Sequence, residues 1–200
     1  MPGRAGSDST SRRVVVIAAS TGGPRALGEL VPKLPASLGA GTVIVQHLPS
    51  GFTGPFAQRL DKAARLRVRE AGEGDLLDPQ VALVAPGGAH LRLTAAGMTA
   101  ISDAPEIGGL RPRADITILD AARVYGHRTV LVVLTGMGND GLEGAAQVRR
   151  RGGRVLVEAE STCAVYGMPR AVEQADLANA VLPLDELPGA IAAAAGWHHA

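Results

Sequence analysis

The amino-acid sequence predicts an α/β fold: a doubly wound, mostly parallel sheet with helices on both faces and a β-hairpin at one edge. Three observations lead to this prediction. Short runs of β-branched apolar residues recur along the chain, amphipathic helical patterns separate most of them, and Gly- or Pro-containing turns mark the boundaries. Runs that are apolar at every position are typical of parallel strands buried on both faces.

The first strand and the turn after it form the stretch around which the other elements are organised. Four consecutive β-branched apolar residues open a buried strand, which we predict over residues 14–18. Gly22 and Gly23 allow a tight turn, and Pro24 suits the first turn of a following helix. Residues 42–46 repeat the apolar, β-branched pattern and predict the second strand.

The middle of the chain departs from strict alternation of strands and helices. We predict a helix over residues 53–64, a short strand over 66–70, and a buried strand over 81–85 that ends at a Pro-Gly-Gly turn. Residues 91–94 and 98–101 flank a turn that contains glycine, which predicts the hairpin. We expect this hairpin at an antiparallel edge of the sheet.

The second half of the chain restores the alternation. A helix with an apolar face at helical spacing is predicted from near Pro112, and it precedes the most β-like run of the chain, at residues 129–134. The later predicted elements are a helix over 142–151, a strand over 154–157, a helix over 168–174, a strand over 180–182 and a helix from near Asp185.

Composition bounds the class of protein. Of the 200 residues, 46% are hydrophobic, which is enough for the core of one α/β domain. We expect residues 13–200 to form that domain and the polar residues 1–12 to be a disordered tail or a linker stub. The net charge of +1 and the aromatic content of 2% give no reason to expect a nucleic-acid partner. No apolar run is long enough to cross a membrane or to form a signal-peptide core, so we expect a soluble, cytoplasmic protein.

Polar residues with complementary chemistry follow three of the predicted strands. Ser20 follows the first strand, His47 follows the second, and Asp140 lies in the loop after residues 129–134. In a doubly wound sheet these loops meet at one edge, where ligands bind. Ser, His and Asp are the set that nucleophilic hydrolysis requires: the imidazole takes the hydroxyl proton, and the carboxylate orients the imidazole. The candidate triad is therefore Ser20, His47 and Asp140.

Each of these residues also has a simpler interpretation. Taken alone, Ser20 favours a helix N-cap or a phosphate-binding turn, and Asp140 is equally compatible with a helix cap. His90 competes with His47 for the role of base, whereas His127 precedes a strand and so belongs to the opposite edge. Cys163, the single cysteine, has no basic residue near it in sequence that would activate a thiol.

Two loops could supply donors for an oxyanion. The turn from Ser20 to Gly23 can offer an N–H group at the start of a helix. Gly136, Met137 and Gly138 let a second backbone segment approach closely, so that an N–H group of this loop is the second candidate. The chain order Ser, His, Asp differs from the order Ser, Asp, His of the α/β-hydrolases and argues against that family.

Five stretches, taken together and in order, resemble the catalytic domain of the bacterial chemotaxis protein-glutamate methylesterases of the CheB type. They are Ala19-Ser20-Thr21-Gly22-Gly23-Pro24, Gln46-His47-Leu48-Pro49, Ala85-Pro86-Gly87-Gly88-Ala89-His90, Leu134-Thr135-Gly136-Met137-Gly138-Asn139-Asp140-Gly141 and Tyr166-Gly167-Met168-Pro169-Arg170.

The resemblance implies Ser20 as nucleophile, His47 as base and Asp140 as the orienting carboxylate. It also implies that Thr21 and Met137 flank the reacting carbonyl; with Gly22 and Gly138, they make up the expected oxyanion and substrate-binding set.

The resemblance further implies a reaction and its partners. The family hydrolyses glutamate methyl esters on the cytoplasmic helices of methylated chemoreceptors and releases methanol, and some members also deamidate receptor glutamines. Neither a metal nor another cofactor is implied. Family members usually carry a receiver domain, for which this chain has no room, so a separate receiver or regulatory protein is a candidate partner. Arg113 stands where the family's Arg-Pro-Ser-x-Asp stretch has serine.

Two functions of other classes stay open from the sequence. One is a Rossmann-like domain that binds a nucleotide or phosphate at the Ser20 turn, although the turn lacks Gly-x-Gly-x-x-Gly and the second strand ends in Gln46-His47 instead of an acidic residue. The other is a non-catalytic chemosensory adaptor that binds receptors without turnover.

Overall fold

The computed structural model describes residues 13–196, and the predicted tail over residues 1–12 lies outside the described residues. Within that range the strands are β1 (Val14–Ala19), β2 (Gly41–Gln46), β3 (Arg67–Glu70), β4 (Val81–Val84), β5 (His90–Leu93), β6 (Thr99–Ser102), β7 (Thr129–Val133), β8 (Arg154–Glu158) and β9 (Ala180–Leu182). The α-helices are α1 (Gly23–Leu30), α2 (Thr53–Ala63), α3 (Ala114–Tyr125), α4 (Leu142–Arg150), α5 (Met168–Gln174) and α6 (Leu187–Ala195). Each predicted boundary lies within two residues of the observed one. None of the helices in the described range has both the length and the hydropathy needed to cross a lipid bilayer.

Seven of the strands form one sheet in the order β3-β4-β2-β1-β7-β8-β9, and every neighbouring pair is parallel. The first strand, β1, lies at the centre, where Val16 is opposite Val43 of β2 and Leu131 of β7. The chain first builds the half with β2, β3 and β4, in which β4 lies between β2 and the edge strand β3, and then returns to build the other half outward from β1 through β7, β8 and β9. This order confirms the predicted doubly wound sheet.

Helices cover both faces of the sheet, so that its central strands β1, β2 and β7 are buried at every position. Val15 and Ile17 of β1 pack on one face with α1, α2 and α6, whereas Val14 and Val16 pack on the other face with α3, α4 and α5. These four side chains are fully buried. Burial of one such side chain stabilises the folded state by about 1.5–3 kcal/mol relative to exposure. The packing of β1 therefore fixes the position of the polar residues that follow it.

The hairpin is confirmed, with one difference from the prediction in where it lies. Its strands β5 and β6 pair with each other in a separate two-stranded sheet and do not extend the main sheet as an antiparallel edge. The physical reason is that α3 occupies the outer side of β5. Thr117 Oγ1 donates to the Leu91 carbonyl at 2.7 Å, and the Asp120 carboxylate accepts from the Leu93 N–H at 3.2 Å. These backbone groups are therefore not available to another strand.

Candidate active site

The backbone of β1 and its two neighbours brings the predicted residues to one edge of the sheet. Ser20 directly follows β1, and its N–H donates to the carbonyl of Thr135, just beyond β7, at 3.0 Å. On the other side, the His47 N–H donates to the Ala19 carbonyl at 3.1 Å. Pairing that begins within the strands thus continues for one residue past their ends and fixes Ser20 between the loops that follow β2 and β7.

A buried glutamine that the sequence analysis did not single out joins two of these residues. Gln46 is the last residue of β2 and is 1% exposed. Its Nε2 donates to the carbonyl oxygens of Ser20, at 3.0 Å, and His47, at 3.1 Å. The signal in the sequence is a polar residue at the end of an otherwise apolar strand, because a polar side chain buried there needs partners.

The imidazole of His47 makes a hydrogen bond with the carboxylate of Asp140. His47 Nε2 lies 2.7 Å from Asp140 Oδ2, and the two side chains are 10% and 1% exposed. This contact leaves Nδ1 as the ring nitrogen that can face a nucleophile. Among the described residues, no hydrogen bond joins the Ser20 hydroxyl to His47; catalytic contacts of this kind are often loose before substrate binds.

The carboxylate of Asp140 also caps helix α3 from a distant part of the chain. It accepts from the N–H groups of Ala114, at 2.6 Å, and Asp115, at 2.9 Å. Burial alone would raise the pKa of Asp140, but the hydrogen bonds from His47 and from these two backbone groups outweigh it. The pKa of Asp140 therefore lies below its ordinary value, and the residue is ionised at neutral pH.

Asp115 caps helix α4 in the same way. Its Oδ1 accepts from the N–H groups of Gly141, at 3.0 Å, and Gly144, at 2.8 Å. Neither α3 nor α4 has a side-chain hydrogen bond from its own N-cap residue, so each helix start is capped by the aspartate of the other. Burial, together with the nearby charge of Asp140, raises the pKa of Asp115 to about 6, although hydrogen bonds from Gly144 and Arg113 oppose the shift.

The loop after β7 packs tightly against the nucleophile candidate. A Cβ atom on Gly136 would lie 2.8 Å from Ser20 Cβ and 2.4 Å from Met168 Sδ, so only glycine fits here without displacement. Thr135 Oγ1 donates to the Thr21 carbonyl at 2.9 Å and joins this loop to the turn after β1. The two loops that were predicted to supply oxyanion donors are therefore in direct contact.

The four residues of the predicted oxyanion set carry backbone donors without protein acceptors. Within residues 13–196, the N–H groups of Thr21, Gly22, Met137 and Gly138 make no hydrogen bond. They lie on the two loops that flank Ser20, and the Met137 side chain is 74% exposed. An oxyanion site requires backbone N–H groups that are free to donate, and these four groups meet that condition.

A second buried residue that the sequence analysis missed is Glu158, at the end of β8. It is fully buried, and its carboxylate accepts from the Thr135 N–H at 2.8 Å and from the Thr162 hydroxyl at 3.1 Å. Glu158 thereby holds the start of the loop that packs against Ser20.

Several alternatives from the sequence can now be decided. Ser20 is not the N-cap of α1: Gly22 occupies that position with φ of 84°, and no side chain caps the helix. His90 is fully buried; its Nδ1 accepts from the Arg113 N–H at 3.2 Å, and its Nε2 lies 3.2 Å from the Pro105 carbonyl, so both ring nitrogens serve the local structure. Burial and the neighbouring carboxylate of Glu158 raise the pKa of Cys163 to about 12, which leaves its thiol protonated and unreactive near neutral pH.

The surface beside His47 is a shallow cavity of about 260 Å³, lined by His47, Leu48, Pro49, Glu106, Gly109, Leu110, Arg111 and Pro112. A larger cavity of about 510 Å³ lies on the α1 side and reaches the catalytic edge only at Gly22 and Thr135. Of these two cavities, the smaller one is lined by the imidazole and the larger one is not. Within the described part of the chain, no three His, Cys, Asp or Glu side chains are grouped as a metal site would need.

Comparison with known proteins gives a consistent result. The family model described as CheB methylesterase matches residues 15–191. Two curated relatives carry the name protein-glutamate methylesterase/protein-glutamine glutaminase: that of Symbiobacterium thermophilum is 47% identical over 189 residues, 94% of this chain and 52% of the relative. That of Moorella thermoacetica is 50% identical over 184 residues, 90% of this chain and 43% of the relative.

The comparison of structures agrees with that of sequences. The crystal structure of the Thermotoga maritima CheB methylesterase catalytic domain superposes with a TM-score of 0.88 and 41% identity, covering 90% of this chain and 97% of that one. The chain spans about half the length of the curated relatives that it matches. Their names therefore describe proteins about twice as long as the matched segment.

Proposed function

The chain belongs to the CheB methylesterase family, as its sequence resemblance predicts, and on that premise we propose that it is a serine hydrolase that demethylates glutamate methyl esters. The observation that carries the proposal is the 2.7 Å contact of His47 with Asp140 at the edge of the sheet where Ser20 directly follows β1. A nucleotide- or phosphate-binding function is not favoured, because β2 ends in Gln46-His47, and these residues serve the Ser20 edge.

The reaction follows from the roles of the three side chains. Ser20 Oγ attacks the ester carbonyl while His47 Nδ1 takes up the hydroxyl proton, and Asp140 holds the opposite ring nitrogen and stabilises the imidazolium. The tetrahedral oxyanion collapses as His47 returns the proton to the leaving oxygen, and methanol departs. Water, deprotonated by His47, then hydrolyses the acyl-enzyme and releases glutamate. A glutamine side chain would follow the same route with ammonia as the leaving group.

The oxyanion is assigned to the unpaired backbone N–H groups that flank Ser20. Thr21 and Gly22 contribute from the turn after β1, and Met137 and Gly138 contribute from the loop after β7. The hydrogen bond from Thr135 Oγ1 to the Thr21 carbonyl joins the two segments that carry these groups and limits their reorganisation when the negative charge forms. In other enzymes, loss of one such donor raises the barrier by about 2.7–4 kcal/mol.

The substrate and partners belong to the same proposal. An ester at the tip of a glutamate side chain, projecting from a helix, suits the shallow cavity that His47 lines. Met137, in the loop after β7, is 74% exposed. We propose that the substrate is a methylated chemoreceptor helix in the cytoplasm. Residues 13–200 would form the catalytic domain that acts on it. A receiver or regulatory protein is the expected source of control, since the matched relatives are about twice as long.

The test is methanol release from a receptor cytoplasmic fragment that carries glutamate methyl esters. We expect release with the wild-type chain and none above background with Ser20→Ala. The control Ser37→Ala changes a half-buried serine in the loop that leads into β2 and should stay active. Undiminished release by Ser20→Ala would contradict the assignment of the nucleophile. Receptor binding without any turnover by the wild-type chain would instead favour the adaptor function.

A further inference from the structure

The guanidinium of Arg113, at the candidate site, has no role in the mechanism described above. Arg113 Nη2 lies 3.0 Å from Asp115 Oδ2, and Arg113 Nε lies 3.7 Å from Asp140 Oδ1. The Arg113 side chain is 19% exposed, and the two carboxylates are nearly fully buried. A single guanidinium therefore bridges the two aspartates that cap each other's helices.

The cluster consists of His47, Arg113, Asp115 and Asp140; Glu106 and Arg111, whose charges are opposite, line the surface cavity beside His47. Arg113 and Asp115 belong to the start of α3, Asp140 to the loop after β7, and His47 to the loop after β2. With neutral imidazole the cluster carries one net negative charge. When His47 takes the proton of the nucleophile, the net charge becomes zero. Without Arg113, the carboxylates of Asp115 and Asp140 would lack this counter-charge, and the cluster with neutral imidazole would carry two net negative charges.

From this arrangement, and resting on the proposed function, we propose that Asp115 and Arg113 are positioning residues for the triad carboxylate. Asp115 fixes the residues that directly follow Asp140 through its bonds to Gly141 and Gly144. Arg113 neutralises Asp115, so that the charge presented to His47 comes from Asp140 alone. Neither residue is assigned contact with substrate.

Removing the charge of Arg113 and removing the charge of Asp115 should shift the protonation of His47 in opposite directions. Removing the positive charge with Arg113→Gln leaves the imidazolium better stabilised, so the acid limb of the kcat/KM profile moves to higher pH by about one unit. Removing the negative charge with Asp115→Asn moves that limb to lower pH, and the double variant lies near wild type. Arg113→Lys keeps the charge and retains the wild-type profile.

The positional role is tested by the loss of the cap. Asp115→Ala removes both acceptor bonds, so we expect kcat to fall roughly tenfold to a hundredfold with KM unchanged, as for outer-shell partners in other enzymes. Asp115→Asn keeps an oxygen for Gly141 and Gly144 and stays within a few-fold of wild type in kcat. Arg123→Gln is the matched control, because Arg123 pairs with Asp120 further along α3 and is far more exposed.

Two measurements are made on each variant. The first is methanol release as a function of pH, and the second is an NMR titration that follows protonation of the His47 imidazole. Opposite shifts for Arg113→Gln and Asp115→Asn, with none for Arg123→Gln, support the proposal. The proposal is overturned if the pH profiles of Arg113→Gln and Asp115→Asn both match that of wild type. It is also overturned if the pH profile of Arg113→Lys shifts as that of Arg113→Gln does. The NMR titration needs no substrate, so it tests the cluster even if the wild-type chain releases no methanol. Absence of methanol release would count against the proposed function and not against the positioning roles. Arg113→Gln retains both caps and keeps the test decisive if Asp115→Ala does not fold.

Discussion

The side-chain amide of Gln46 donates to the carbonyl of Ser20 at 3.0 Å, across the gap between the ends of two neighbouring parallel strands. The same nitrogen reaches the His47 carbonyl at 3.1 Å. One buried side chain therefore sets the spacing between the backbone of Ser20, the proposed nucleophile, and the backbone of His47, the proposed base. This spacing matters because a misplacement of about 1 Å can cost a hundredfold in rate.

We expect Gln46→Ala to lower kcat about tenfold or more while KM changes little, because the error lies in the alignment of Ser20 with His47. The free energy of unfolding should also fall by about 1–3 kcal/mol, since two buried carbonyl groups lose a donor. Methanol-release kinetics and urea denaturation measure the two effects. The exposed Gln174→Ala, on α5, is the control and should match wild type in both. Normal kcat in Gln46→Ala would show that the strands alone hold the spacing.

Asp140→Asn separates the two roles of the triad carboxylate. An amide cannot hold the imidazole in the same tautomer, so kcat should fall by about 10³–10⁴-fold with little change in KM. The amide also retains only one acceptor for the two N–H groups at the start of α3, which should cost about 1 kcal/mol of stability. Steady-state kinetics and thermal unfolding read these losses separately. A variant that lost stability but kept its kcat would remove Asp140 from the mechanism.

Gly136→Ala tests the close packing behind the nucleophile. The new Cβ would lie 2.8 Å from Ser20 Cβ, so the serine or the loop must move. We expect a roughly tenfold to hundredfold loss of kcat and about 1–3 kcal/mol of destabilisation. Gly28→Ala is the matched control: nothing lies within 4 Å of its added Cβ, and in helix α1 alanine should stabilise by about 0.4–1 kcal/mol without loss of activity. Equal activity of the two variants would argue that the loop adapts without cost.

The raised pKa of Asp115, at about 6, gives a signed dependence of stability on pH. The folded protein binds this proton more tightly than the unfolded chain, so the carboxyl group stabilises the folded state at low pH, and this contribution is lost as pH rises from about 4 through about 6. Urea denaturation at pH 5 and pH 7 should therefore show wild type losing stability relative to Asp115→Asn as pH rises. Asp185→Asn, at an exposed aspartate, should show no such relative change. Because the lowered pKa of Asp140 acts with the opposite sign below pH 4, measurements stay above that value.

The sequence alone predicts the fold class, the order of the elements and the edge at which Ser20, His47 and Asp140 come together. These features depend on local patterns: apolar β-branched runs mark the strands, and the rule that loops after parallel strands share an edge then applies. The CheB resemblance strengthens the same prediction. The roles of the three residues remain those given in the proposed function.

The rest depends on contacts between residues far apart in the chain, for which short-range patterns carry no signal. The separate position of the hairpin follows from Thr117 and Asp120, which reach β5 from 26 to 28 residues away. The exchange of caps between Asp115 and Asp140 likewise joins helix starts that no local motif relates. The sequence alone could not exclude Ser20 as the N-cap of α1, because only the folded turn shows that Gly22 occupies that position.

The central position of β1 has a consequence for how activity returns when the chain refolds. Ser20, His47 and Asp140 follow three adjacent strands, and the contact between the base and its carboxylate joins residues 93 apart. Helices form from local contacts, whereas parallel pairing across such separations is slow. Ellipticity at helical wavelengths should therefore recover before ester hydrolysis, which appears only when both β2 and β7 have docked on β1. Under the proposed function, the return of ester hydrolysis therefore reports the final long-range step of folding.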